Sequence, residues 1–182
     1  MDPDIKRQIF EASSESPGAW LLQAMDLRVA ADRLYWKDHP IKDGEAAVSL
    51  IGVYKMLIGL SFENLLKGII LLRKVEDSGK GGLAKDCYTH RIDDLLGALD
   101  PRDNPLESEE KEHLRTLTPY IRWAGRYPLP KKEEKIIPIS HSDVERRIEV
   151  SAWEKLYSVL RHQGWVTKGK SVENGGYRLY FD

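Results

Sequence analysis

Residues 46–72 read AAVSLIGVYKMLIGLSFENLLKGIILL, and this stretch decides the fold. Ala47, Ile51, Tyr54, Ile58, Phe62, Leu65, Ile69 and Leu72 recur at alternating spacings of four and three, the signature of one helical stripe. Leu50, Leu57 and Leu66 widen that stripe until most of the circumference is apolar. A helix of this kind sits in the middle of a bundle. It is not read as a membrane span, because Lys55, Glu63 and Lys67 would each be costly at a bilayer centre.

Working outward, Asp2-Pro3 and Ser16-Pro17 each offer an N-cap followed by a proline at the first helical position. The helix after Pro17 is expected to run to about His39-Pro40, with Trp20, Ala24, Leu27, Ala31 and Leu34 inward and Asp26, Arg33 and Lys37 outward. The central helix is expected over about 43–76 and ends in Ser78-Gly79-Lys80-Gly81-Gly82. Ile92, Leu95, Leu96 and Leu99 mark a short helix after His90. Ser108 is read as the N-cap of the next, whose stripe is Leu114, Leu117, Ile121 and Ala124 and whose stop is Pro128 and Pro130. Lys131 to Ile139 is a charged connection, and Ser142 with Glu145 forms a capping box before a last helix with Val144, Ile148, Ala152, Leu156 and Val159 inward. The expected architecture is all-α, an up-and-down bundle of five or six helices over residues 1–164, with residues 165–182 a tail or small β-hairpin.

Composition narrows the function classes. The chain of 182 residues, 41% hydrophobic and 31% charged, fits one folded domain. A formal net charge of -1 gives no global basic field, so contact with nucleic acid requires a local patch. Cys87 is the single cysteine, which excludes an internal disulfide or thiolate cluster and suits a reducing compartment. Acids near Met1, where a signal peptide would be basic, add to a cytoplasmic reading. There is no phosphate-binding glycine loop, no dinucleotide fingerprint and no His-Glu-x-x-His, and neither a metal nor a cofactor is expected.

Three motifs carry chemistry. Glu63 and Lys67 lie one turn apart, which reads either as a surface ion pair worth a few tenths of a kcal/mol or as charges lining a groove between helices. His90 precedes a Leu-rich helix, where it either fixes the loop or exchanges a proton with a nearby phosphate or hydroxyl. Arg122 and Arg126 share a helical face with Tyr120, Trp123 and Tyr127 around them; guanidinium forks suit phosphate and aromatic faces suit bases. The competing reading makes Arg126 a C-terminal cap and the aromatics packing residues.

The stretches Gly59–Gly68, Thr89–Leu96 and Tyr120–Pro128, in this order and at this spacing, together resemble the HEPN family of helical-bundle domains. The resemblance covers roughly residues 45 to 130. It implies nucleotide or RNA binding, frequently in toxin–antitoxin or defence systems, alongside a nucleotidyltransferase-type protein. By that resemblance the ligand residues are Arg122, Arg126, Tyr127, His90, Lys67 and Glu63. Catalytic members of the superfamily are ribonucleases with an Arg and a His separated by four to six residues. Tyr-Pro-Leu-Pro-Lys-Lys follows Arg126 instead, and although Arg33 and His39 fit the spacing, about one such match arises by chance in a chain of this composition. A metal-independent endoribonuclease built on Arg33 and His39, and a helical adaptor without ligand, therefore stand as alternatives. The breadth of the central apolar surface further suggests a homodimer.

Overall fold

In the computed structural model, residues 3–7, 16–35, 50–78, 87–126 and 141–162 are described. These form an all-α bundle with no strand among them. After a helical segment at residues 3–7 come α1 (Pro17–Tyr35), α2 (Ile51–Ser78), α3 (Ile92–Ala98), a 3-10 turn (Pro101–Asp103), α4 (Ser108–Thr116), a π-helical segment (Tyr120–Ala124) and α5 (Asp143–His162). None of the described helices is long and apolar enough to cross a membrane. The expected hairpin at 165–182, the loop after Ser78 and the connection at 131–139 lie outside the described residues.

The organising element is α2. Tyr54, Ile58, Phe62, Leu65, Leu66, Ile69 and Leu72 are all buried, and they share one core with Leu95, Leu117, Ile121 and Leu156 from the surrounding helices. Burying a side chain of this size stabilises by about 1.5–3 kcal/mol, so the face-by-face burial of α2 dominates the fold energetics. Among the described residues, no large hydrophobic of α2 is exposed. Leu57, Leu60, Ile70 and Val75 of α2 are partly buried against that core.

Several local expectations are corrected. Helix α1 turns Leu21, Ala24, Arg28 and Ala31 inward, a stripe displaced from the one containing Leu27 and Leu34 because Arg28 is buried over the Trp153 ring, 5.4 Å from its centroid. In α5 Ala152 and Leu156 are buried as expected, but Glu149 joins them and Val144 is 52% exposed. Glu107, in place of Ser108, stands at the N-cap of α4, and its N–H donates to Glu110 Oε2 at 2.8 Å. The Ser142–Glu145 capping box forms as expected, with Ser142 N–H to Glu145 Oε2 at 2.8 Å and Glu145 N–H to Ser142 Oγ at 3.2 Å.

The helix anticipated over 108–127 is interrupted. Pro119 has no N–H to offer the preceding turn, and the chain tightens at Leu117, whose N–H bonds the Leu114 carbonyl at 3.1 Å. It then widens into a π turn in which the Gly125 N–H reaches the Tyr120 carbonyl at 3.2 Å. This segment packs on the first half of α2. A Cβ at Gly59 would come within 2.8 Å of Ile121 Cγ1, and one at Gly125 within 2.9 Å of Met56 Cγ. Glycine at both positions is what allows the close approach.

Candidate functional site

Midway along α2 the apolar surface is broken by Glu63 and Lys67, which are only 3% and 5% exposed. Lys67 Nζ donates to Glu63 Oε1 at 2.7 Å and lies 5.5 Å from the centre of the Trp20 ring on α1. The surface-pair reading is therefore overturned. Taking both charges out of water is costly, and the cost is offset only by near-ideal geometry and further hydrogen bonds.

His90 supplies the further bond. Its Nδ1 sits 3.0 and 3.1 Å from the two Glu63 carboxylate oxygens, while the imidazole itself is 64% exposed. A carboxylate accepts, so the contact has His90 Nδ1–H donating to Glu63. The loop before α3 is tethered twice over. Thr89 Oγ1 accepts the Arg91 N–H at 3.0 Å, and the Ile92 N–H donates to Thr118 Oγ1 at 3.2 Å. The result is an exposed imidazole, oriented from behind by a buried carboxylate and a buried ammonium. Tyr88, two residues earlier, is 66% exposed. Sequence reading did not single it out, since a tyrosine in a polar loop has no periodicity to distinguish it.

Arg122 is exposed and stands one turn beyond Thr118, the residue that anchors the start of α3. Arg126 Nη2 donates to the carbonyls of Ile121 at 2.8 Å and Arg122 at 3.2 Å, so it closes its own helical segment. Of the aromatics expected around these arginines, Tyr120 is buried, with Lys55 Nζ 5.3 Å from its ring centre; Trp123 is partly buried, and Tyr127 lies outside the described residues. The patch is narrower than the sequence suggests. Arg33 is exposed near the end of α1, and His39 lies outside the described residues.

A second polar cluster escaped the sequence reading. The fully buried Glu149 carboxylate accepts from Tyr54 Oη and lies 3.2 Å from His113 Nε2. Arg146 donates to Tyr54 Oη at 3.1 Å and to Asp32 Oδ1 at 2.6 Å, joining α1, α2 and α5. Burial, followed by the Glu149 charge, raises the Tyr54 phenol far above its usual range. Arg28 Nε adds a bond to Asp32 at 3.2 Å, so each charge of this cluster meets an opposite charge or a hydrogen-bond partner, the pattern of a structural network. Nothing in the spacing of these residues advertises the cluster, because its members come from four helices.

Among the described residues, no three His, Cys, Asp or Glu side chains gather as a metal ion would require. Comparison with protein-family models, curated proteins and solved structures finds no match.

Proposed function

We propose that this chain is a HEPN-like helical protein that binds nucleotide or RNA phosphate through the exposed Tyr88, His90 and Arg122, with Glu63 and Lys67 supporting His90 from within. The observation that carries the reading is the Glu63–His90 contact: an exposed imidazole held at 3.0 Å by a buried, lysine-paired carboxylate. A loop needs no buried ion pair merely to stay in place, and such pairs are seldom a net gain in stability. An exposed imidazole, an exposed tyrosine ring and an exposed guanidinium are groups that meet a phosphate and a base. The motif order that resembles the HEPN family supplies the ligand class. It also supplies a toxin–antitoxin or defence pair and a nucleotidyltransferase-type partner, while the single cysteine supports cytoplasmic action and the apolar breadth of the central helix supports assembly as a homodimer.

The test is a titration of single-stranded RNA and of a nucleoside triphosphate against wild type, Arg122→Ala, Arg126→Ala and His90→Ala at two salt concentrations. Affinity falls as salt rises, and each of Arg122→Ala and His90→Ala weakens binding. Equal binding by wild type and both variants, or binding by none of them, replaces the proposal with the adaptor reading. Light scattering at micromolar concentration tests assembly: a mass near the 20.9 kDa of a single chain contradicts the homodimer.

A further inference from the structure

His141 stands two residues before α5, and its side chain is only 5% exposed. Both ring nitrogens are buried and neither has a hydrogen-bond partner. The ring is packed edge-on against Tyr54, with centroids 4.9 Å apart, and against Tyr35, 5.5 Å apart. A buried donor and acceptor left unmet are costly, and a native protein seldom retains both on one side chain without consequence.

The groups facing this ring come from every element around it. On α1, Tyr35 Oη donates to Asp143 Oδ1 at 3.1 Å, and Asp32 holds Arg146. On α2, Lys55 Nζ donates to Glu145 Oε1 at 3.1 Å and lies over Tyr120, the first residue of the π segment. His113 comes from α4, and Glu145, Arg146 and Glu149 come from α5. Glu145 Oε2 is 3.6 Å from His141 Nδ1, beyond hydrogen-bond distance and within reach of a small movement. The two glutamates favour a proton on His141, Lys55 and His113 oppose it, and burial outweighs them all, so the imidazole is held below its ordinary value of 6.5.

We propose that His141 is an acid-sensitive latch: neutral, it fastens the start of α5 between Tyr35 and Tyr54, and on gaining a proton it draws Glu145 from Lys55 and releases that end of the bundle. The sign follows from proton counting. Below pH 6.5 the unfolded chain binds a proton at this position that the folded chain refuses, so the stability contributed by neutral His141 is complete above 6.5 and is lost as pH falls below it. Carboxylates with lowered values, Glu145 and Glu110, lose their contributions only below their ordinary 4.5, in a separate window. The Lys55–Tyr120 contact extends the release to the π segment, which carries Arg122. This inference does not depend on what the protein binds.

The experiment compares thermal unfolding of the full chain and of His141→Phe between pH 7.5 and 5.5, together with an NMR titration of the wild-type His141 ring. Wild type loses about 3–5 °C in Tm per pH unit once below 6.5. His141→Phe keeps the ring packing without the unmet nitrogens, unfolds at a higher temperature at pH 7.5, and shows a flatter slope. The wild-type ring titrates below 6.5, and amide exchange over residues 120–126 quickens with the same midpoint. A titration midpoint at or above 6.5, or an unchanged slope in His141→Phe, overturns the latch.

Discussion

Glu63 shows how one residue ties sequence, packing and chemistry together. Its spacing from Lys67 is legible in the sequence, as is the oddity of two charges on a helix otherwise apolar all round. Burial is not legible, because the same i, i+4 pair is common on exposed helices. His90 was legible as a candidate from its place before a Leu-rich helix, whereas its contact with Glu63 spans 27 positions and needs the fold. Lys67→Met removes the ammonium and leaves Glu63 buried with one exposed imidazole, and is expected to destabilise the chain by about 3–5 kcal/mol in denaturant unfolding. His90→Ala removes a side chain that is mostly in water, and is expected to cost far less. Equal losses would place the weight of the cluster on the imidazole and contradict the hierarchy argued here.

At the scale of the element, existence and order of the helices were legible, and the failures share a physical cause. Ala24 and Ala31 of α1 and Ala152 and Leu156 of α5 face inward as their spacing suggests, and the differences lie at the members between them. The apolar pattern points to Leu27 and Val144, but Arg28 and Glu149 take inward positions at tolerable cost because Asp32 and Arg146 pair with them. The helix beyond α4 was read as continuous because its apolar stripe from Leu114 to Ala124 is unbroken, although Pro119 stands within it. The glycines at 59 and 125 now acquire a reason: they admit the π segment against α2. Gly125→Ala puts a Cβ 3.0 Å from the Gly52 carbonyl oxygen and against the Met56 side chain. It is expected to destabilise by roughly 1–3 kcal/mol, despite the better helix propensity of alanine, because backbone cannot yield as a side-chain tip does. Gly97→Ala, where nothing lies within 4 Å, is the control and is expected to be neutral or stabilising.

At the scale of the molecule, one buried helix wrapped by the others makes two polar positions along α2, one at Tyr54 and Lys55 and one at Glu63 and Lys67. The first is closed over by aromatic rings and is proposed to govern stability in acid. The second leads outward to His90 and is proposed to meet the ligand. The whole-chain charge of -1 offers no steering field, so affinity must be built from a few groups around His90 and Arg122. The most direct test is chemical-shift mapping of the isotopically labelled full chain with a short single-stranded RNA at low salt. The account predicts shifts concentrated at residues 88–94 and 118–126, with the His90 ring the most affected of the imidazoles. Shifts confined to other surfaces, or none at saturating RNA, would contradict it.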